Sequence, residues 1–279
     1  MPGSEAQFPR GPAEERLVGK INAKMPHSAR VWNYWLGGKD YYPADQQAGD
    51  EFLAIFPGMA DTVMALRYFT ARAVRWLAAE AGIRQFLDIG CGIPPAHDPI
   101  HQVAQDAAPG ARVVYADNDP LTLAHAQALL TGPPGTTGHI GADLNDPAGL
   151  LEQASQILDL TQSAAILLMS TLGHIGNPGE RDDEDAWAVA GQLTAAIPPG
   201  SYIAIGDLVP HPALDDAIEA YRASEAAPYH LRTPDEISGL LDSLELTGPG
   251  LVPVSRWRPE HSPFDHPDVP AWGGTWRKS

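Results

Sequence analysis

The sequence is poor in cysteine, in positive charge and in long apolar runs, and each shortage excludes a class of protein. The single cysteine, Cys91, excludes an intrachain disulfide framework and a cysteine-rich zinc site. Lysine and arginine number 18 against 35 aspartate and glutamate residues, so the net charge is −17. A field of that sign repels phosphate backbones and anionic membrane surfaces. No uncharged apolar run approaches the roughly 18 residues that span a bilayer.

The start of the chain, MPGSEAQFPRGPAEER, has no apolar stretch of the kind found in a secretory signal. We therefore predict a soluble, cytoplasmic protein that binds neither nucleic acid nor a membrane. With 279 residues and 44% hydrophobic content, the chain can bury a sizeable core. We predict a flexible leader at 1–24, an N-terminal helical cover at 25–82 and an α/β domain at 83–279.

Short apolar strands alternate with helices from Gln85 onwards, which predicts a doubly wound α/β sheet. One helical crossover separates each of the first five strands from the next, so these strands should run parallel beneath helices on both faces. Two later candidates would close the sheet as an antiparallel pair, which makes seven strands in a mostly parallel sheet. The candidate strands are QFLDIG, ARVVYAD, HIGAD, AAILLMS, SYIAIGD, LELTGPGLVPVSRW and AWGGTWRK. The predicted helices are 28–35, 43–55, 61–81, 96–107, 120–130, 147–158, 182–197, 212–225 and 233–244.

The turn after the first strand is the most informative stretch of the chain. It contains Asp88, Gly90 and Gly92, at the carboxyl end of a strand, where open α/β sheets bind their ligands. Glycine there lets the backbone approach a ligand closely. A plain strand-to-helix turn is the alternative, because glycine pairs are common in such turns.

Two features of this turn indicate which ligand it takes. Pro95 stands where an NAD-binding fingerprint has its third glycine, and the chain contains no G-x-x-x-x-G-K-[ST] phosphate loop. Asp88 suits a positively charged group such as an α-ammonium better than a diphosphate. The turn therefore favours S-adenosylmethionine as the cofactor.

The second strand ends at Asp117, 25 residues after Gly92, and Asn118 follows it. A carboxylate at this strand end can accept hydrogen bonds from both ribose hydroxyls of an adenosine cofactor. The alternative is a simple turn aspartate, because the segment DNDP is rich in turn formers. We favour the ribose role, with Asn118 beside it in the cofactor site.

The third and fourth strands end in further candidates. Asp143 could accept the adenine amino hydrogens and Leu144 could cover the ring, whereas in the alternative Asp143 or Asn145 caps the helix opened by Pro147. Spacing alone leaves both interpretations open. Ser170, at the end of the fourth strand, is assigned to the same cofactor site.

These segments together resemble the class I S-adenosylmethionine-dependent methyltransferases. Within that class the chain resembles the actinobacterial S-adenosyl methyltransferase family once catalogued as DUF574, over about residues 26 to 278. The segments that carry the resemblance are RVWNYWLGGKDYYPAD, EAGIRQFLDIGCGIP, VVYADNDPLTLAHAQALL, ADLNDP, RTPDEI and LELTGPGLVPVSRWRP.

The resemblance implies a Rossmann-like methyltransferase domain with an N-terminal helical cover over the cofactor. Arg30, Tyr34, Gly37, Gly38 and Lys39 match the family's N-terminal motif and are expected to line the entrance for cofactor or substrate. Tyr34 could pack its ring against the sulfonium, and Arg30 or Lys39 could pair with the cofactor carboxylate. For Tyr34 and its tryptophan neighbours, core packing of one amphipathic helix is the alternative.

Arg67 and Arg72 also fit the family pattern, although an arginine on a helix usually lies on a solvated face. Two other features depart from the pattern. Pro94 replaces a frequent third glycine of the class I loop, and the segment 170–177 lacks the [DN]-P-P-[YF] motif of enzymes that methylate amide or exocyclic nitrogens. Substrate choice is expected to diverge at this segment.

His174 is the candidate general base, because it follows the fourth strand and an imidazole titrates near neutral pH. A hydrogen-bonded structural histidine is the alternative. His97 and His101 lie four residues apart, but Pro99 interrupts the helix between them and no third ligand is evident, so no metal site is predicted.

The predicted function is therefore S-adenosylmethionine-dependent methyl transfer (EC 2.1.1.-) to a small molecule, such as a specialised metabolite with an aromatic or hydroxyl acceptor. The predicted partner is that acceptor, with a homodimer as one option for the assembly. A non-catalytic S-adenosylmethionine-binding or regulatory protein is the alternative. An NAD-dependent oxidoreductase is less favoured, because the third glycine is missing.

Overall fold

The computed structural model describes residues 22–93, 98–175, 183–223, 229–259 and 268–279. Within these ranges most of the chain folds into α-helices and strands of one sheet. The helices are α1 (Ser28–Trp35), α2 (Pro43–Ile55), α3 (Met59–Ala79), α4 (Ile100–Ala107), α5 (Pro120–Leu129), α6 (Pro147–Ser155), α7 (Asp183–Ala196), α8 (Pro212–Ala223) and α9 (Pro234–Gly239). The strands are β1 (Gln85–Ile89), β2 (Arg112–Asp117), β3 (Thr137–Gly141), β4 (Ala165–Met169), β5 (Tyr202–Leu208), β6 (Glu245–Leu246), β7 (Val252–Pro253) and β8 (Ala271–Arg277).

The sheet has the order β3-β2-β1-β4-β5-β8-β6, with β7 also paired to β8. Strands β1 to β5 are parallel, and β8 runs antiparallel to β5 over seven residue pairs. The chain order reverses between β1 and β4, which makes their carboxyl ends the switch point at which such sheets bind ligands. The predicted doubly wound, mostly parallel α/β fold is confirmed.

The sheet has eight strands instead of the predicted seven, because the segment predicted as one long strand supplies two short ones. Strand β6 ends at Leu246, and a turn closed by the hydrogen bond from Gly250 N to Thr247 O separates it from β7. Pro249 and Pro253 have no N–H to donate to a ladder, so a continuous strand cannot form here. The 3₁₀ helix Val254–Arg256 follows directly.

Helices α1 to α3 form the predicted cover, and α3 attaches it to the sheet. Phe69 of α3 is fully buried and meets the ring of Trp257 edge-on, with 5.2 Å between the ring centroids. Arg72 donates hydrogen bonds to the carbonyl oxygens of Val254 (2.6 Å) and Trp257 (3.0 Å). These bonds attach α3 to the 3₁₀ helix, so Arg72 has a structural role in the fold.

Helix ends follow local sequence closely. Thr233 caps α9 in a reciprocal arrangement with Glu236, as its sequence predicts. Helix α4 begins at Ile100 with Pro99 as its N-cap, later than the predicted residue 96; residues 94–97 lie outside the described ranges. The predicted leader at 1–24 also falls almost wholly outside them.

No single helix in the described ranges is long and apolar enough to cross a membrane. Helices α2 and α3 pass the same length and composition test only as a pair, and they are bent by 104° relative to each other.

Candidate functional site

A cavity of about 410 Å³ opens at the carboxyl ends of strands β1 to β4, beneath helix α1. It brings together most of the residues that the sequence predicts for the site, including the candidate base. Those in its lining are Asp88, Gly90, Gly92, Asp117, Asn118, Asp143, Leu144, Ser170 and His174.

The glycine turn forms the floor of this cavity. Gly90 and Gly92 both have positive φ, +73° and +65°, which side-chain-bearing residues rarely adopt. A Cβ on Gly90 would overlap Thr171 Cγ2, whereas one on Gly92 would meet nothing within 4 Å. The missing side chain of Gly90 makes room for Thr171 of the same chain, so the turn after β4 packs against the turn after β1; the close approach of Gly90 to a ligand stays a prediction.

Asp117 is fixed by two backbone donors at the end of β2. Its Oδ2 accepts from Gly92 N at 3.0 Å and its Oδ1 accepts from Asp119 N at 2.9 Å. Burial raises the pKa of Asp117, although these two bonds and the nearby imidazole of His27 oppose the shift. Each oxygen keeps a second lone pair, so the carboxylate can still accept hydroxyl donors from a ligand.

Asp88, which is buried, and Arg67, which is half-buried, are an ionisable pair in the lining. Burial raises the pKa of Asp88 to about 7, the charge of Arg67 opposes that rise, and the charge of Asp117 adds to it. Burial also lowers the pKa of the Arg67 guanidinium. The cavity thus presents one carboxyl and one guanidinium at low dielectric, which is a complementary pair for a zwitterionic amino-acid group.

The turn after β3 places Asp143 and Leu144 in the lining, and it corrects the alternative interpretation. The helix cap is Asp146, whose side chain accepts from Gly149 N at 3.1 Å. Asp143 Oδ1 instead accepts from the main chain and the side chain of Asn145, at 2.9 and 3.1 Å. Asp143 is therefore held towards the cavity by its own turn.

The chain turns sharply into the cavity after β4. Ser170 has φ +57° and donates its N–H to Gly206 O at 2.7 Å. Thr171 follows, and its buried Oγ1 has no hydrogen-bond partner among the described residues. The buried Nδ1 of His27, on the opposite wall, is also without one. Both residues line the cavity, and these two polar atoms are enclosed within its walls.

His174 ends the 3₁₀ helix Leu172–His174 and lies edge-on to Tyr229, with 4.9 Å between the ring centroids. The Tyr229 hydroxyl donates to Asp207, whose other oxygen accepts from Leu172 N at 3.2 Å. A Cβ on Gly173 would lie 2.5 Å from the Tyr229 ring. Buried contacts thus hold the turn that carries His174 from both sides; residues 176–182 lie outside the described ranges.

Helix α1 supplies the roof, and its inward face was not identified from the sequence. The inward residues are His27, Ser28, Ala29, Trp32, Asn33 and Leu36. Their spacing of three and four residues is a helical face, but the sequence does not show which face meets the cavity.

Arg30, Tyr34 and Gly38 lie outside the lining, and their contact with the cofactor stays a prediction. At 100° per residue, Arg30 and Tyr34 lie about 150° around α1 from the inward face. The buried Arg30 pairs with Asp45 at 3.1 Å, and Tyr34 donates its hydroxyl to Asp50. Gly38 makes room for the Asn33 side chain, because a Cβ there would overlap it.

Of the two histidines after the glycine turn, the structure describes His101, which belongs to no group of candidate metal ligands in the described part of the chain. His97 lies outside that part, and His101 Nδ1 is 2.9 Å from the Tyr115 hydroxyl. No group of three or more histidine, cysteine, aspartate or glutamate side chains converges there on a candidate metal position.

Comparisons with known proteins identify relatives of this chain by sequence and by fold. A family model described as S-adenosyl methyltransferase matches residues 14–279. A candidate methyltransferase of Thermobifida fusca YX is 35% identical and superimposes with a TM-score of 0.83, covering 91% of this chain and 96% of its own. A DUF574 family protein of Streptomyces avermitilis is 37% identical, with a TM-score of 0.85 and coverage of 93% and 100%. No curated protein matches the chain.

Proposed function

Because the chain belongs to the S-adenosyl methyltransferase family, we propose that it methylates a small-molecule acceptor, such as a specialised metabolite with an aromatic or hydroxyl group. One observation carries the proposal: the cofactor residues predicted at the strand ends and the candidate base, His174, line one continuous cavity. Reacting groups held in one cavity meet in a fixed geometry, which is the main requirement of a displacement reaction.

The lining fits S-adenosylmethionine by the chemistry of its donors and acceptors. Asp88 and Arg67 would bind the α-ammonium and α-carboxylate, Asp117 would accept from the ribose hydroxyls, and Asp143 with Leu144 would bind the adenine. When bound, this cofactor supplies an activated methyl group on a sulfonium.

The chain's own part in the reaction is to orient the acceptor, to exclude water and to take up a proton. Trp32 of α1 and Leu36, the residue after its end, line the cavity and would exclude water from an acceptor bound beneath them. A ring nitrogen of His174 would accept the proton that the acceptor hydroxyl releases. The contacts of Tyr229 and Leu172 hold this ring at the cavity wall, so little reorientation is needed.

Isothermal titration of the purified protein with S-adenosylmethionine, S-adenosylhomocysteine and NADH tests the cofactor. We expect micromolar binding of both sulfur compounds and none of NADH. Binding of NADH alone would overturn the proposal and favour an oxidoreductase.

Turnover is tested by incubating the protein with S-adenosylmethionine and a metabolite extract and measuring S-adenosylhomocysteine. We expect acceptor-dependent formation that His174→Ala reduces by about 10²–10⁴-fold, the usual range for a general base. Binding of the cofactor without turnover in any extract would instead favour a non-catalytic regulatory protein. Undiminished turnover by His174→Ala would leave positioning as the whole contribution of the protein.

A further inference from the structure

A second, smaller cavity of about 20 Å³ lies beside His174, and we call it the apolar chamber. Ser28, Trp32 and His174 line both cavities, so the apolar chamber adjoins the large cavity at the candidate base. Its lining residues are Ser28, Trp32, Trp35, Phe52, Met59, His174, Leu208, Ile218, Tyr221 and Tyr229.

The described lining of the apolar chamber contains no aspartate, glutamate, lysine or arginine. Two polar groups of the lining already donate hydrogen bonds within the protein. Trp35 Nε1 donates to Gly49 O at 3.3 Å, and the Tyr229 hydroxyl donates to Asp207. A charged group placed here would lose its hydration without gaining a counter-charge, which is costly. The apolar chamber therefore suits an uncharged, apolar group.

Ring contacts between three helices, α1, α2 and α8, hold the walls of the apolar chamber in place. Trp35 lies 6.1 Å from Trp32, 4.8 Å from Phe52 and 6.5 Å from Tyr221, measured between ring centroids. Phe52 and Tyr221 also meet edge-on at 6.0 Å. Because packed aromatic walls do not collapse easily, the size of the chamber limits what can enter it. Its volume is close to that of one or two small groups the size of water or methyl.

The lining of the large cavity also includes apolar side chains to which the cofactor assignment gives no role. They are those of Leu36, Val63, Leu66 and Met169. An acceptor ring seated among these side chains would direct its hydroxyl to His174 and a short substituent into the apolar chamber.

We propose that the apolar chamber is the specificity pocket of the acceptor site, and that it takes a methyl- or ethyl-sized substituent of an uncharged aromatic alcohol. This inference rests on the proposed function, because it assigns a substrate class to the same site. Each methylene that enters a fitting apolar pocket strengthens binding about fourfold. A substituent larger than the chamber does not gain this affinity, because it cannot enter.

The test measures binding of a 2-alkylphenol series to the complex with S-adenosylhomocysteine, by isothermal titration, because a substituent next to the hydroxyl can enter the chamber beside His174. The probes are phenol, 2-methylphenol, 2-ethylphenol and 2-propylphenol, with 2-hydroxybenzoate as the charged comparison. We expect 2-methylphenol to bind about fourfold more tightly than phenol, 2-propylphenol to bind more weakly than the best of the series, and 2-hydroxybenzoate at least tenfold more weakly than 2-methylphenol.

Variants of Ile218 assign this preference to the apolar chamber. Ile218→Ala enlarges the chamber and should move the optimum to 2-propylphenol. Ile218→Val makes a smaller change and serves if the alanine variant does not fold. Ile197→Ala and Ile197→Val are matched controls, because Ile197 is equally buried but lines neither cavity. They should keep the original preference.

The outcomes separate this inference from the proposed function. Failure to bind S-adenosylhomocysteine would overturn the proposed function. Binding of S-adenosylhomocysteine together with no phenol binding, with equal affinities along the series, or with the same optimum in the Ile218 and Ile197 variants would overturn the chamber inference alone.

Discussion

Two buried carboxyl groups in the cavity, those of Asp88 and Asp117, have different environments, and the difference decides what each can bind. Asp117 accepts two backbone N–H groups, whereas Asp88 is buried opposite Arg67 and has its pKa raised to about 7 by burial. The first is a fixed acceptor for hydroxyl donors. The second changes its charge near neutral pH.

The affinity for S-adenosylhomocysteine is expected to rise about tenfold between pH 6 and pH 8, because ionised Asp88 attracts the α-ammonium and protonated Asp88 does not. For the stability of the ligand-free fold, the dependence on pH has the opposite sign to that of the affinity. A carboxyl with a raised pKa contributes most stability below its unfolded pKa, near 4, and loses that contribution as the pH rises through about 7. Titration calorimetry at the two pH values checks the affinity.

Asp88→Asn should remove this pH dependence. Asp207→Asn is the control, since burial also raises the pKa of Asp207, to about 6, but Asp207 does not line the cavity. An affinity that is the same at both pH values in the unmodified protein would contradict the role of Asp88.

Asp117→Asn is expected to weaken binding of S-adenosylhomocysteine by about 1–3 kcal/mol, because one acceptor oxygen becomes a donor facing hydroxyl groups. Asp159→Asn makes the same change at the opposite edge of the sheet, beside Gln85 at the start of β1, and should leave binding unchanged. Calorimetric titration measures both. Equal affinities for the two variants would remove Asp117 from the cofactor site.

At the scale of elements, the turns after β1 and β4 depend on each other through Gly90 and Thr171. Gly90 has positive φ, and a side chain there would overlap Thr171. Gly135 has a similar φ of +79° but nothing within 4 Å of a Cβ. Alanine substitutions at these two glycines can therefore be compared. Both force a side-chain-bearing residue into a positive φ, but only the one at Gly90 adds a clash.

Gly135→Ala should therefore destabilise the fold by about 1–2 kcal/mol, the cost of the left-handed conformation. Gly90→Ala should destabilise it by more, because the clash adds to that cost. Thr171→Ser in the Gly90→Ala background removes the clashing methyl and should recover part of the difference. Urea denaturation measures the free energy of unfolding of these three variants and of the unmodified protein. Equal losses of stability in Gly90→Ala and Gly135→Ala would show that small shifts relieve the clash.

At the scale of the whole molecule, the cover and the sheet meet across the cavity. Helix α1 contributes one wall and the carboxyl ends of β1 to β4 contribute the other. A ligand that contacts both walls binds the closed arrangement and stabilises the segment that would otherwise open first.

Saturating S-adenosylhomocysteine should thus slow amide hydrogen exchange in residues 22–36 at least tenfold. Residues 245–259, which line neither cavity, serve as the internal control and should exchange at the same rate with and without ligand. Hydrogen exchange read by mass spectrometry gives both segments in one experiment. Unchanged exchange in residues 22–36 would mean that α1 does not close on the ligand.

Much of this architecture follows from local sequence signals. The apolar strands, the crossover helices and the capping residues act over a few neighbouring positions, so their periodicity and composition predict β1 to β5 and most helix bounds. The carboxyl ends of parallel strands share one edge of the sheet. For that reason Asp88, Asp117, Asp143 and His174 could be assigned to one site before their distances were known.

The sequence by itself determined the fold class, the edge of the sheet that carries the site, and the strand-end residues of the lining. Only the tertiary structure decided which face of α1 turns inward, so that Trp32 and Asn33 line the cavity while Arg30 pairs with Asp45. It also decided that Gly90 makes room for Thr171 and that aromatic rings from three helices enclose the apolar chamber. The physical reason is range: propensity and periodicity act between near neighbours, whereas these contacts join residues far apart in the chain, whose meeting depends on how the helices pack.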